Sequence, residues 1–128
     1  MGNAMFMTSE IDFREFAGSV GTIKDYEDGD AIFREGDHPA FMYVVLSGAV
    51  DIGAQNKRLE RIGAGKALGI LSLLDDLPRT VTARASGTTQ LAVIDRKKFR
   101  FMIEEMPNFC WYVMGELAHR LRTTNAAL

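Results

Sequence analysis

The pattern of apolar and polar residues divides the chain into three parts. Residues 11–21 carry apolar positions at helical spacing, and residues 22–94 carry short β-branched or aromatic runs separated by glycine-containing turns. From residue 95 onward the apolar positions return to the helical period. The sequence predicts one domain over 1–128, with a flexible start at 1–10, an N-terminal helix, a β-barrel over 22–94 and C-terminal helices over 95–128.

The central part predicts strands that are joined by tight turns. Ser47-Gly48 and Ser86-Gly87 each separate two apolar runs, and this pattern predicts a turn at both places. The second pair of strands is predicted to close the barrel. The predicted strands are 31–34, 41–46, 49–52, 58–62, 80–85 and 90–94.

The C-terminal part predicts two helices separated at Pro107. The second, over 109–121, is apolar over a wide face, more than one barrel surface needs. Two interpretations remain open: the whole face packs on the core, or part of it also contacts a second subunit.

One stretch, residues 63–83, has the chemistry of an anion site. Glycines at 63, 65 and 69 allow backbone N–H groups to approach a ligand closely. The apolar segment 70–74 predicts one helical turn with free N–H groups, and Arg79 adds a fork of donors that fits a phosphate. The alternative is a glycine-rich loop beside a surface arginine.

Composition excludes several classes of function. The formal net charge of -2 argues against direct binding of nucleic acid, since phosphate-dominated binding is typical of basic domains. One cysteine and two histidines offer no metal-ligand spacing, and no catalytic constellation accompanies the glycine-rich stretch, so neither a metal nor an enzyme is predicted. No apolar run is long enough to span a membrane and the first residues lack a signal peptide, which predicts a cytoplasmic protein without a membrane partner.

Several motifs resemble the cyclic nucleotide-binding domain of the cyclic AMP receptor protein and FNR-type regulators. They are the opening Asp30–Asp37, the hairpin-like Phe41–Val50, the hinge-like Arg96–Arg100, Met106-Pro107, and the terminal Ala118–Asn125. The resemblance covers the chain from Phe13 to Leu128. It implies a mainly β fold with flanking helices, a double-stranded β-helix or jelly-roll-like barrel with a short N-terminal and a long C-terminal helix.

The same resemblance makes residues 63–83 a phosphate-binding cassette for cyclic AMP or cyclic GMP, with no other cofactor. Arg79 and Thr80 match the family's arginine and hydroxyl that hold the cyclic phosphate, but Ile70 stands where the family has a glutamate for the ribose 2′-hydroxyl. An aliphatic side chain leaves that hydroxyl unpaired, at a cost of about 1–3 kcal/mol. The ligand-binding residues implied are Gly69, Ile70, Leu71, Ser72, Arg79, Thr80, Val81 and, for the base, Thr124 and Asn125.

Two functions follow from these features. The first is a regulatory sensor domain that binds a cyclic nucleotide or a similar small phosphorylated ligand and transmits this through its C-terminal helices. The second is a degenerate, ligand-free domain that serves as a dimerisation or protein-interaction module. A homodimer through the C-terminal helix is expected, and too few residues follow Leu121 for the family's helix-turn-helix, so DNA reading is expected elsewhere.

Overall fold

The structure, a computed structural model, describes residues 14–124. These residues form six strands and four helices: one helix precedes the strands, one short helix lies between the fifth and sixth strands, and two helices follow the sixth strand. They are α1 (Arg14–Val20), β1 (Thr22–Tyr26), β2 (Ala31–Phe33), β3 (Phe41–Ala54), β4 (Lys57–Gly63), β5 (Ala67–Leu68), α2 (Ile70–Asp75), β6 (Thr82–Asp95), α3 (Arg96–Glu105) and α4 (Pro107–Thr124).

The two 14-residue strands β3 and β6 form the centre of a single antiparallel sheet. The order across it is β1-β6-β3-β4, while β2 also pairs with β6 and β5 with β3. Within the described residues this sheet does not close on itself, so the closure predicted near residue 94 is not found. The prediction of a mainly β fold with flanking helices is confirmed.

The two turns predicted at Ser47-Gly48 and Ser86-Gly87 are wrong: both dipeptides lie inside continuous strands. The register of β3 against β6 shifts on both sides of Ser47, so the glycines mark irregularities that bend a long strand pair. Gly48 has φ +85°, and a Cβ there would overlap the carbonyl oxygen of Thr88. Glycine in a strand signals either a turn or a bulge, and the sequence does not distinguish them.

The buried side chain of Thr89 holds this irregularity together. Its hydroxyl donates to the carbonyl oxygen of Ala49 at 3.0 Å and accepts from the Ala49 N–H at 3.3 Å. The side chain therefore supplies hydrogen bonds where the strand ladder is interrupted. The sharp reversal of the chain comes later, at Gln55 and Asn56, which have φ +55° and +65° between β3 and β4.

The core consists of two clusters. One fills the inside of the curved sheet and includes Val45, Val50 and Leu91, each fully buried. The other lies between the sheet and the helices, where Phe109 of α4 meets Phe99 of α3 edge-on at 6.0 Å between ring centroids. The helices therefore pack against the sheet and share a hydrophobic core with it.

The helix boundaries follow from capping chemistry. The Asp95 side chain accepts from the Lys98 N–H at 2.8 Å and starts α3, and Pro107 is the first residue of α4, where its missing N–H costs nothing. The predicted N-terminal helix over 11–21 is observed as α1, and residues 11–13 lie outside the described residues. No helix among those described is long and apolar enough to cross a membrane.

Candidate functional site

A cavity of about 150 Å³ opens between helix α2, the segment before β6, strand β4 and helix α4. Its wall contains the seven residues of the stretch 63–83 that the resemblance implies as ligand-binding. Those residues are Gly69, Ile70, Leu71, Ser72, Arg79, Thr80 and Val81. The segments 69–72 and 79–81, which six residues separate in the chain, thus converge on one volume.

Arg79 lies at the inner end of this cavity and is only 5% exposed. Its Nη1 donates to the carbonyl oxygen of Gly69 at 2.8 Å, and its Nη2 donates to the carbonyl oxygen of Phe41. Its guanidinium also lies over the ring of Phe33, 4.1 Å from the centroid. The side chain is therefore fixed by the strand β3, the cassette loop and an aromatic platform.

No carboxylate lies within 4.0 Å of the Arg79 guanidinium among the residues that the structure describes. Burial lowers the pKa of Arg79, while the neighbouring Tyr43 and Asp37 act in the opposite direction. An arginine nevertheless stays protonated in a protein. The inner end of the cavity thus holds a buried positive charge that carbonyl dipoles and an aromatic face stabilise without a bonded anion.

Gly69 is required by the geometry of this arginine. It has φ +82°, a left-handed conformation that favours glycine, and it immediately precedes α2. A Cβ at this position would lie 3.0 Å from Nη1 of Arg79. The close approach of backbone and guanidinium therefore depends on the absence of a side chain.

Ile70 is buried and belongs to the cluster between sheet and helices, although it also lines the cavity. Its position gives the middle of the cavity an aliphatic wall. Thr80 is exposed at the cavity wall, and the Ser72 side chain is 8% exposed. The hydroxyl groups that could face a ligand are thus those of Thr80 and Ser72, not a side chain at 70.

The other two predicted residues cannot be placed in the same way. Thr124 is the last residue of α4, and nothing is described of its side chain. Asn125 lies outside the described residues. Their assignment to a base therefore stays a prediction.

Two contacts join the cassette to the helices that follow the sheet. The hydroxyl oxygen of Tyr112 in α4 accepts from the Ala67 N–H of β5 at 2.9 Å. Arg96, the first residue of α3, donates to the carbonyl oxygen of Leu73 and, at 3.1 Å, to the carboxylate of Asp76. Both ends of the segment 67–76 are therefore tied to α3 or α4.

Sequence reasoning missed the residues at the mouth of the cavity. Glu60 of β4 and Arg120 of α4 both line it, and their charged groups are 3.7 Å apart. Glu116 and Leu117 of α4 line it as well. The one available signal was the alternation in β4, since Glu60 stands two residues before the buried Ile62 and shares its face.

The family model of the cyclic nucleotide-binding domain matches residues 23–106. The chain is 32% identical over 108 residues to the cyclic AMP receptor protein of Thermus thermophilus, covering 80% of this chain and 50% of that protein. It is 36% identical over 88 residues to isozyme 1 of the cGMP-dependent protein kinase of Drosophila melanogaster, covering 68% of this chain and 11% of that protein.

Among solved structures, the catabolite activator protein of Thermus thermophilus superposes with a TM-score of 0.80 at 26% identity, covering 96% of this chain and 61% of that one. This similarity confirms the jelly-roll-like fold with a long C-terminal helix. The chain thus shares the fold of the matched part of that protein. It belongs to the cyclic nucleotide-binding domain family, and it spans half or less of the length of the two curated relatives described.

Proposed function

We propose that this chain is a regulatory sensor domain that binds a cyclic nucleotide, or a similar small phosphorylated ligand, in the cavity around Arg79. One observation carries the proposal: a buried arginine, to which none of the carboxylates in residues 14–124 is bonded, faces a cavity lined by the cassette. A buried charge is costly unless a partner compensates it, and a phosphate offers bidentate hydrogen bonds to the guanidinium. The named relatives, a cyclic AMP receptor and a cGMP-dependent kinase, support a cyclic nucleotide as that phosphate.

Each predicted cassette residue has a place in this proposal. Arg79 and the Thr80 hydroxyl hold the phosphate, and Gly69 keeps the backbone close to it. Ser72 and the backbone of 70–71 border the same group, while Val81 forms an apolar wall. Thr124 and Asn125 are proposed to contact the base.

Calorimetric titration with cyclic AMP and cyclic GMP tests the proposal. We expect saturable binding of at least one nucleotide, competed by neither adenosine nor guanosine, which lack the phosphate. Heat from neither nucleotide at millimolar concentration would overturn it.

Transmission is proposed to pass through the ties between the cassette and the helices. A phosphate that takes hydrogen bonds from Arg79 competes with the carbonyl oxygens of Gly69 and Phe41 and displaces the loop before α2. The Tyr112 and Arg96 contacts carry any such displacement to α4 and α3. A domain with these links fits a regulatory, non-enzymatic role, and we propose that it acts in the cytoplasm.

We propose that α4 also forms a homodimer interface with a second copy of this chain. Its exposed face holds Trp111, Met114, Ala118 and Leu121, spaced by three and four residues as in a coiled-coil seam. Large apolar side chains in one stripe favour a matching stripe as partner.

Sedimentation velocity tests this dimer. We expect the wild type to be a dimer and the double variant Met114→Glu with Leu121→Glu to be a monomer, while the control variant Phe101→Glu on α3 stays dimeric. A wild-type monomer at high protein concentration would contradict the proposed interface.

The ligand-free interaction module remains a second candidate, favoured by Ile70. An aliphatic residue stands where the family holds the ribose, and it packs into the core. On this hypothesis α4 dimerises and the cavity stays without a ligand. A dimer without nucleotide binding would favour it over the sensor.

A further inference from the structure

The mouth of the cavity carries a charge pair that the family resemblance did not supply. Glu60 of β4 and Arg120 of α4 face each other there at 3.7 Å, with side chains 46% and 45% exposed. They come from different elements, so the pair spans the opening between sheet and helix. A ligand group that occupies this part of the cavity lies beside both charges.

The strand register fixes the direction of Glu60. It pairs across the sheet with Ile52, and it stands two residues before Ile62; both isoleucines are buried. Cross-strand partners and alternate residues of a strand share one face. The Glu60 carboxylate therefore lies on the inner face of the sheet, at the edge of the cavity, rather than on the outer surface.

The two charged groups present opposite hydrogen-bonding chemistry. A carboxylate accepts two parallel N–H bonds, and a guanidinium donates two. Guanine offers the complement of both, with N1–H and N2–H₂ donors on one edge and O6 and N7 acceptors beside them. Adenine offers one donor group, N6–H₂, next to the bare N1 lone pair, which a carboxylate repels.

We infer that the Glu60–Arg120 pair makes the cavity selective for a guanine base, so that cyclic GMP is preferred over cyclic AMP. This rests on the proposed function, because the phosphate must first be held at Arg79. Glu60 accepts from guanine N1–H and N2–H₂, and Arg120 donates to the acceptor edge. Since Arg120 belongs to α4, the bound base also bridges the helix to β4.

Competitive titration of cyclic GMP and cyclic AMP tests this inference on the wild type, Glu60→Gln and Glu116→Gln. We expect cyclic GMP to bind about tenfold to a hundredfold more tightly than cyclic AMP to the wild type. Glu60→Gln removes one acceptor and should bring the two affinities to within about threefold. Glu116→Gln makes the same charge change on the same cavity and should keep the preference, and Arg120→Gln should weaken cyclic GMP binding.

The outcomes separate the two proposals. Binding that depends on Arg79, with cyclic AMP as tight as cyclic GMP or a preference unchanged by Glu60→Gln, overturns the guanine inference alone. The absence of any binding that depends on Arg79 overturns both. Loss of preference in Glu60→Gln but not in Glu116→Gln supports the inference, and circular dichroism of each variant verifies that it is folded.

Discussion

The inner end and the mouth of the cavity differ in how their charges are held. At the inner end Arg79 is almost fully buried and bonded to two backbone carbonyl oxygens, whereas at the mouth Glu60 and Arg120 are about half exposed and 3.7 Å apart. A buried, backbone-bonded side chain has one geometry, while an exposed ion pair is weak and rearranges easily. The inner end of the cavity is thus suited to bind a ligand group of fixed geometry, and the mouth is suited to bind a group that differs from one ligand to another.

This difference matches the way the sequence follows its family. Arg79 and Gly69 keep the family pattern and lie where the chain cannot vary without loss of packing. Ile70 departs from the pattern, and the Glu60–Arg120 pair lies outside the motifs that carry the resemblance. The proposed phosphate-binding residues therefore match the resemblance, whereas the position proposed for the sugar departs from it and the charged pair proposed for the base stands outside it.

Arg79→Lys should produce the largest effect. A lysine keeps the charge but loses the fork that binds two carbonyl oxygens and a phosphate at once, so nucleotide affinity should fall about a hundredfold or more. Calorimetric titration measures this fall, and thermal unfolding shows whether the fold survives. Arg84 is exposed and lies outside this cavity, so the control variant Arg84→Lys should keep the nucleotide affinity within about twofold of the wild type. Equal losses of affinity in both variants would contradict a phosphate site at Arg79.

Ile70→Glu should have the next largest effect, by making the middle of the cavity resemble the family. The new carboxylate accepts from a ribose 2′-hydroxyl, so affinity for a cyclic nucleotide should rise about tenfold. The side chain enters a buried position, so the free energy of unfolding should fall by about 1–3 kcal/mol. Both are measurable in one preparation, by calorimetry and by urea unfolding.

The 2′-deoxy nucleotide gives the control for Ile70→Glu. Wild type and Ile70→Leu lack an acceptor, so they should bind the 2′-deoxy form at least as tightly as the ribose form, because the deoxy sugar has no hydroxyl to leave unpaired. Only Ile70→Glu should prefer the ribose form. An unchanged or weaker affinity would mean that something other than the missing acceptor blocks the cavity.

Gly69→Ala should have a smaller effect on affinity. The left-handed backbone costs an alanine about 1–2 kcal/mol, and the added methyl group meets the Arg79 guanidinium. Affinity should fall about fivefold to tenfold through the displaced arginine. Gly18→Ala, in α1 with open space around it, serves as the control and should not weaken binding; equal effects would show that Gly69 has no special role.

Local pattern predicted the elements that depend on local chemistry. The helical period at 95–121, the break between two helices at Pro107 and the glycine-arginine spacing of the cassette are each properties of neighbouring residues. The two strand irregularities at Gly48 and Gly87 were predicted as turns. The local pattern could not show the hydrogen bonds that keep β3 continuous, because Thr89, which makes them with Ala49, lies 40 residues away in the chain. Long-range pairing decided the outcome there.

The residues of the candidate site show the same difference between local and long-range determinants. Arg79 and its loop were predicted by resemblance, since the motif is contiguous in sequence. Glu60 and Arg120 were not predicted as site residues, because they are 60 residues apart in the chain and only the packing of α4 against β4 brings their charges together. Alternation in β4 predicted a half-exposed strand but gave no reason to place a carboxylate beside a ligand.

Tyr112→Phe should have the smallest effect on ligand affinity and acts mainly on stability. It leaves the buried Ala67 N–H without its 2.9 Å acceptor, which should lower the free energy of unfolding by about 1–3 kcal/mol. Because neither end of the cavity loses a ligand contact, affinity should stay within about twofold. Tyr26→Phe is the control, since the hydroxyl of Tyr26 accepts no such bond from Ala67.

Alkaline pH provides a second measure of the Tyr112 contact. Burial raises the pKa of Tyr112 from 10.0 to about 12, with hydrogen bonding to Ala67 opposing part of that shift. The protonated hydroxyl is therefore favoured by folding, and its contribution is full below pH 10 and is lost as the pH rises from 10 towards 12. The gap in unfolding free energy between wild type and Tyr112→Phe should narrow over that range in urea titrations. A gap that is constant with pH would mean that the Tyr112 hydroxyl is not buried against β5, and the tie between the cassette and α4 would then have to rest on Arg96 alone.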